Sequence, residues 1–372
     1  MNELESVLLW VLFEILLFNI SVLPILLFFL LKRYNRNVFF IQKDNFVFYW
    51  LILTGFCVFD KSSGDYFHYL DIVQDLSQSR FLESHLEDFY IELIKIIKGN
   101  YFLFRIIVWG GAVINVFLII RRLEINRNIA YILFMLYALL FFSYTRAFLG
   151  VSFFFLGYTF LIKPNKKYRI YSICLGFLII LCSLFLHKSI VMLCVLLPFS
   201  FFEMTKKKCL CLLLLFPIVI YNIDKFIAIL FTSIEIRGGS YLLAEKTSSG
   251  SIGGDIYFFF YILSIFFLLI RIFNILSISK RKNIPFSIRR IYSFSICIFY
   301  ASFLLSFLSF GHAAVSYRLR NMGFIPLAFV ISYFVIYEEI KYKYLVVSLF
   351  LILIADNCYL GYMYYLKSVL GL

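Results

Sequence analysis

Charged residues are scarce in this chain of 372 residues: they make up 15% of the total, while 63% of the residues are hydrophobic. Soluble domains carry about a quarter charged residues, so this composition leaves too little polar surface to cover a soluble fold. The same composition excludes intrinsic disorder, which requires low hydrophobicity. The apolar residues come in solid runs rather than in alternating segments. The composition therefore predicts an all-α polytopic membrane protein.

Motifs for nucleotide and metal chemistry are also lacking. The chain has no glycine-rich loop ending in Lys-Ser/Thr, no His-Glu-x-x-His, no nucleophile elbow, no Cys-x-x-Cys and no Asp-x-Asp pair. An ATP-driven enzyme or one that uses a cytoplasmic sugar nucleotide is therefore disfavoured, and no metal or cofactor is predicted. The eight cysteines lie within apolar runs, so we interpret them as free, small hydrophobic residues.

The apolar runs predict about twelve membrane-spanning helices, since a span needs about 20 mostly apolar residues. The chain is thus predicted to form a single integral membrane domain over residues 1–372. The predicted spans lie at 6–31, 44–60, 101–120, 128–145, 147–162, 170–186, 189–202, 209–231, 256–278, 291–310, 321–337 and 344–366.

The pattern of charge predicts the orientation. The net charge is +14, and the Lys and Arg residues lie in short clusters between apolar runs, which argues against a nucleic-acid partner. These clusters follow the odd-numbered spans, for example at 32–37, 163–169 and 279–283. The positive-inside rule puts such loops in the cytoplasm, so both termini are predicted to face outward. Contact with anionic membrane lipid accounts for most of the basic excess.

Two long loops are predicted on the outward side, at 61–100 and 232–255. The first is acidic and aromatic, and between Phe81 and Ile97 its apolar residues recur at helical spacing. Part of it is therefore predicted to lie on the membrane as an amphipathic helix. The second is rich in Gly and Ser, a composition typical of a lid or a linker.

Several cations lie on this outward side, where the positive-inside rule leaves few. A cation at a membrane boundary is costly unless it reaches lipid headgroups, forms an ion pair or lines a wet cavity. The planar fork of arginine suits bidentate contact with phosphate, so clustered arginines predict a pyrophosphate site. Contact with headgroups is the alternative for each cation, and it is the favoured one for Lys188. The cations are Arg105, Arg146, His187, Lys188, Arg318 and Arg320.

Candidates for proton transfer and sugar binding lie nearby. His187 is at a tight turn between two spans, and imidazole titrates at about 6.5, which suits proton transfer. The alternative is a helix-end histidine bonded to a free carbonyl, and the two interpretations have equal weight. Polar residues of the first outward loop could bind sugar hydroxyls or, in the case of Asp65, supply a general base; a solvated loop is the alternative. These residues are Asp65, Tyr66, His68, Tyr69 and Asp71.

Three stretches of the chain, in this order, resemble a known family. They are GDYFHY (64–69), followed by an acidic segment, then RAFLGVSFFFLGYTFL (146–161) and LFLHKSI (184–190). Together they resemble the EpsG-like branch of the Wzy-type polysaccharide polymerases, which has an outward Asp/Tyr-rich loop, an Arg opening a membrane helix and a His-Lys-Ser tip two helices later. Arg146 and Gly157 match an Arg-x10-Gly spacing of such polymerases, and SYRLRNMGF (316–324) is similar to the family's late arginine.

The resemblance implies a GT-C-like architecture and a metal-independent glycosyltransferase in the bacterial inner membrane. Such an enzyme transfers a growing glycan from undecaprenyl pyrophosphate onto a repeat unit on the same carrier, in O-antigen or related polysaccharide synthesis, with a chain-length regulator as protein partner. Arg146, Arg318 and Arg320 would stabilise the leaving pyrophosphate, and His187 and Asp65 would compete as proton acceptor. The expected substrate-binding residues are Tyr66, His68, Tyr69, Asp71, Lys188 and Arg105. Ala147 departs from the family, in which many relatives carry Gln there.

Two other functions compete with this one. A flippase for the same lipid-linked oligosaccharide would carry charged residues deep within several helices and short outward loops, whereas here the helix cores are nearly free of charge and the 61–100 loop is long. An O-antigen ligase or membrane acyltransferase usually has its largest outward loop late in the chain, whereas here it comes early.

Overall fold

The computed structural model describes the chain in three continuous stretches and a number of shorter ones. The continuous stretches are 87–125, 145–204 and 284–308. The shorter ones are 47, 50–51, 54–55, 58, 69–74, 130, 207–208, 211, 215, 319, 322–323, 325–330 and 332–333. The chain divides into two compact units, Met1–Ile190 with Ile354–Leu372, and Val191–Leu353.

Helices account for the regular structure of the described residues, which contain no strand, and this confirms the all-α class. Two of the helices, α2 and α4, are long and apolar enough to cross a membrane, and they coincide with predicted spans. The complete set of about twelve spans stays a prediction. The helices are α1 Asp88–Ile96, α2 Tyr101–Leu123, α3 Thr145–Ile162, α4 Arg169–Leu186, α5 Ile190–Ser200 and α6 Phe286–Leu308.

Helix α1 forms part of the 61–100 segment and turns directly into α2. Its turn uses two successive left-handed residues, Lys98 at φ 53° and Gly99 at φ 70°. The Gly99 N–H donates to the Ile94 carbonyl at 3.0 Å, which closes the end of α1. Asn100 then caps α2, because its side-chain oxygen accepts from the Leu103 N–H at 3.1 Å. This four-residue connection leads from the end of α1 into α2, while Tyr90 in the first turn of α1 bonds to the start of α3 at Arg146.

The face of α1 that packs on the protein differs from the apolar stripe that the sequence predicted to lie on the membrane. Tyr90 and Ile94 are fully buried, whereas Phe89 and Ile96, which belong to the predicted stripe, are 41% and 75% exposed. The spacing of Tyr90 and Ile94, four residues apart, places them on one side of the helix. The exposed stripe has the character that a membrane-surface helix needs, and its contact with lipid stays a prediction.

Helices α2 and α3 run parallel. Toward their N-terminal ends the Trp109 and Phe148 rings lie 5.0 Å apart between centroids. Halfway along, the buried Asn115 side-chain amide donates to the Ser152 hydroxyl at 3.0 Å. At the other end the guanidinium of Arg122 donates to the carbonyl of residue 163 at 2.5 Å. An antiparallel span between these helices, as predicted at 128–145, would produce this parallel arrangement.

Helices α3 and α4 form an antiparallel pair with direct backbone contact. A Cβ atom on Gly157 would lie 2.7 Å from the Gly176 carbonyl oxygen, so the two backbones meet where both residues lack a side chain. Further out, a Cβ on Gly150 would lie 3.1 Å from the His187 Cβ. The N-terminal part of α3 therefore lies beside the C-terminal end of α4.

The second unit contains most of α5 and all of α6. Residues 291–300 of α6 are buried throughout. The Met204 N–H donates to the Ser293 hydroxyl at 3.1 Å, which joins the segment after α5 to α6. Arg289 and Glu203 form a half-exposed ion pair at 3.0 Å, a geometry that contributes little to stability. Cys194, on α5, carries a free thiol.

Candidate functional site

The N-terminal end of α3 gathers four residues from three segments, which we call the Arg146 cluster: Tyr69, Glu87, Tyr90 and Arg146. Arg146 lies in the first turn of α3, Tyr90 lies in α1, and Glu87 immediately precedes α1. The Arg146 Nε donates to the Tyr69 hydroxyl at 2.7 Å, and one terminal nitrogen donates to Glu87 Oε2 at 2.6 Å. The Tyr90 hydroxyl donates to the Arg146 carbonyl at 3.2 Å. Residues far apart in the chain thus hold one arginine.

Little of this cluster is open to solvent. The side chains of Arg146 and Glu87 are 16% and 10% exposed, and Tyr90 is fully buried. The Arg146 guanidinium carbon lies 5.0 Å from the Tyr69 ring centroid and 5.9 Å from that of Tyr90, within the range of cation–π attraction. An ion pair in such surroundings is far less screened than a surface pair.

The surroundings of the cluster keep Arg146 charged and Tyr90 neutral. Burial lowers the pKa of the Arg146 guanidinium, but its contacts with Tyr69 and Glu87 outweigh burial and raise that pKa above its usual value. Burial, with a smaller contribution from Glu87, raises the pKa of the Tyr90 hydroxyl well above its usual value. Tyr90 is therefore a neutral hydrogen-bond donor at physiological pH, and Arg146 is a permanent cation.

The hydrogen bonds of Arg146 leave no edge of its fork fully available. A guanidinium binds phosphate bidentately either through Nε and one terminal nitrogen or through the two terminal nitrogens. Tyr69 takes Nε, which belongs to the first edge, and Glu87 takes a terminal nitrogen. Bidentate contact with an anion therefore requires Arg146 to exchange at least one of these partners.

His187 ends α4 and stabilises its own turn. Its Nδ1 accepts the Ser189 N–H at 3.2 Å, and the Ser189 hydroxyl lies 2.6 Å from the same nitrogen. A nitrogen that accepts a backbone N–H carries no proton, so the neutral ring is assigned its hydrogen on Nε2. This arrangement suits a hydrogen-bond donor, since taking up a proton on Nδ1 would cost the bond to the Ser189 N–H.

The structure places His187 at the end of α4, where its ring accepts a hydrogen bond from the following turn. Because α3 and α4 are antiparallel and Gly150 lies against His187, this histidine lies at the same end of the helix pair as Arg146. Lys188, next in the chain, is exposed.

The other predicted site residues fall into two groups. Arg105 lies one helical turn before Trp109, at the same end as Arg146, but its side chain is only 2% exposed and its guanidinium carbon lies 5.8 Å from the Tyr101 ring centroid. Asp71 is exposed on the helical segment that carries Tyr69. The second group lies outside the described residues and comprises Asp65, Tyr66, His68, Arg318 and Arg320.

Glu87 and Tyr90 were not among the predicted site residues. Glu87 is one of many acids in the first outward loop, and Tyr90 lies within an ordinary apolar pattern. Glu87 lies 59 residues and Tyr90 lies 56 residues before Arg146, so no local sequence pattern connects them with the arginine. Glu87 was nevertheless an acid on the same predicted side of the membrane. A search that paired each arginine predicted to face outward with the acids predicted on the same side would have included Glu87 among several candidate partners of Arg146.

No family model matches this chain, and neither a curated protein nor a solved structure matches it. The resemblance to the Wzy-type polymerases therefore depends on the sequence stretches alone, and the argument for a function must come from the cluster.

Proposed function

We propose that this chain is a polytopic glycosyltransferase of the Wzy type with a GT-C-like architecture. It would join undecaprenyl-pyrophosphate-linked repeat units at the outward face of the bacterial inner membrane, without metal or nucleotide. The observation that carries the proposal is the buried fork of Arg146, held at the N-terminal end of α3 by Tyr69 and Glu87. A chain-length regulator is the proposed protein partner.

The proposed reaction needs charge stabilisation at the leaving group. An acceptor sugar hydroxyl attacks the anomeric carbon of the donor, the bond from that carbon to the pyrophosphate oxygen breaks, and the hydroxyl proton passes to a base. Arg146 would stabilise the charge that grows on the pyrophosphate, in a partly buried site where such a contact is strong. Arg318 and Arg320 are proposed as further contacts for the same group.

His187 and Asp65 are the two candidates for the proton acceptor, and their hydrogen-bonding chemistry distinguishes them. The hydrogen bond from the Ser189 N–H to His187 Nδ1 makes His187 a donor, suited to orienting a sugar hydroxyl or the pyrophosphate through Nε2–H. Asp65 is therefore the proposed base, because a carboxylate accepts a proton without disturbing a turn.

The interior of the first unit supports an enzyme over a flippase. Where α2 and α3 pack, the buried polar contact is the uncharged pair Asn115 and Ser152. The charged residues of these helices lie toward the helix ends, at Arg105, Arg121, Arg122 and Arg146. A site at the ends of helices fits chemistry on a substrate that stays anchored in the membrane.

The test is a deletion strain with its surface glycan examined on gels. Loss of the polymerase leaves lipid A–core capped with one repeat unit, whereas loss of a flippase or ligase leaves no capped core. Complementation with Arg146→Lys keeps the charge beside Glu87 but lacks the bidentate fork, so we expect single-unit caps at normal protein level. Arg121→Lys, at an exposed position of α2, is the matched control and should restore long chains. Long chains from Arg146→Lys would refute the proposed role.

A further inference from the structure

Arg146 would face a problem of selectivity at the position proposed for it. The outward leaflet presents phosphate groups of ordinary phospholipids in great excess over any lipid-linked glycan, and an open arginine fork would bind them. In this structure the fork is occupied by a carboxylate, because Glu87 Oε2 lies 2.6 Å from a terminal nitrogen of Arg146. The carboxylate is 10% exposed, so it is seated within the protein.

We propose that Glu87 is a specificity-determining residue that excludes singly charged phosphodiesters from Arg146 and yields to a pyrophosphate diester. The inference rests on the proposed function and names what its anion site selects. Glu87 acts through Arg146, as an internal anion that a ligand must displace to bind both terminal nitrogens.

The physical basis is a competition between anions for one cation. A phospholipid phosphodiester carries one negative charge, so replacing Glu87 exchanges one monoanion for another and gains little. A pyrophosphate that joins a lipid to a sugar carries two charged phosphoryl groups, so it gains Coulomb energy from the exchange, and a site with low effective dielectric magnifies that gain. Building a repulsive or competing group against the wrong ligand is a general route to specificity.

The surroundings of Glu87 allow the exchange. Glu87 immediately precedes the first turn of α1, whose N-terminus has no side-chain cap and is the positive end of the helix dipole. A carboxylate that leaves Arg146 therefore stays near a favourable potential. Tyr69, which is bonded to Nε, keeps the guanidinium oriented while its terminal nitrogens change partner.

The experiment compares ligand affinities of the full-length protein in phosphatidylcholine nanodiscs. Binding of a fluorescent sugar linked to a short-chain polyprenyl pyrophosphate is titrated, and then competed with the matching sugar linked through a polyprenyl phosphodiester and with phosphatidylglycerol in the disc. In the wild type we expect pyrophosphate to bind at least about tenfold more tightly than either competitor, a difference of ~1.4 kcal/mol.

The decisive variant is Glu87→Gln, which keeps the shape and an oxygen acceptor for Arg146 but removes the charge. We expect both competitors to gain affinity and the preference for pyrophosphate to fall about tenfold. The matched control is Glu92→Gln, which removes the same charge from the same helix at a residue 64% exposed and paired with Lys95. This control should keep the wild-type preference.

The outcomes separate the two proposals. If the wild-type protein binds no polyprenyl pyrophosphate, the proposed function fails and the inference fails with it. If the wild type binds pyrophosphate and phosphatidylglycerol equally well, only the inference is refuted, and this result needs no variant to fold. An unchanged preference in a folded Glu87→Gln protein refutes the inference as well and leaves Glu87 a purely structural partner of Arg146.

Discussion

The contact between Gly157 and Gly176 offers the sharpest test of the helix packing. The substitution is Gly157→Ala, which adds one methyl group where α3 meets α4. That methyl carbon would lie 2.7 Å from the Gly176 carbonyl oxygen, 2.8 Å from Ile180 Cγ1 and 3.0 Å from the Ile180 nitrogen. Two of these three atoms belong to the backbone of α4, so they cannot move without the helix.

The magnitude follows from the distance that the helices must separate. Ordinary contact for a Cβ atom begins at 3.4 Å, so relief of the clash with the Gly176 oxygen requires a shift of about 0.7 Å. Overpacking of this kind costs about 1–3 kcal/mol. The better helix propensity of alanine returns at most ~1 kcal/mol. We therefore expect a net loss of stability, accompanied by displacement of the His187 end of α4 from the start of α3.

The assay is thermal unfolding of the purified protein in detergent, followed by the fluorescence of a thiol-reactive dye. The matched control is Gly111→Ala on α2, where the nearest atom to an added Cβ is the flexible end of Leu149 at 3.4 Å. This variant gains helix propensity without a clash, so its midpoint should equal or exceed that of the wild type. The two variants should differ by about 1–3 kcal/mol, at roughly 2–4 °C per kcal/mol.

A Gly157→Ala protein as stable as the Gly111→Ala protein would refute the close approach of α3 and α4. It would also remove the physical explanation of the Arg-x10-Gly spacing, in which the arginine starts α3 and the glycine lets α4 pack against it. A loss of stability in both variants would instead indicate that alanine is tolerated poorly throughout the bundle.

Two further predictions concern single side chains of the site. Burial raises the pKa of Tyr90 in the folded protein, so its hydroxyl stabilises the fold fully below pH ~10 and loses this contribution as the pH rises further. The wild type should therefore unfold at a higher temperature than Tyr90→Phe below pH ~10, and this difference should shrink above it. Asn at position 187 can still accept the Ser189 N–H, so His187→Asn should keep the wild-type stability, which His187→Ala lowers by about 1 kcal/mol. Both variants should lose long glycan chains. Long chains from His187→Asn would refute a role for Nε2–H.

The sequence predicts the positions of the long helices better than it predicts which helix faces and side chains make contact. Solid apolar runs predict α2 and α4, because a run of that length has no other low-energy arrangement in a membrane. The face of α1 could not be predicted in the same way, since lipid and protein both attract apolar residues. Phe89 and Tyr90 are adjacent and equally suited to burial, yet Tyr90 is buried and Phe89 is 41% exposed.

Sequence alone determined the all-α class, the scarcity of charge within the helices and the candidacy of Arg146, because each depends on the hydropathy and charge of residues near in the chain. Tertiary structure decided which acid neutralises that arginine and which tyrosine accepts a hydrogen bond from its Nε. The physical reason is range: hydrophobic periodicity acts over neighbouring residues, whereas an ion pair is chosen by distances of a few ångströms between segments that only the packed helices bring together.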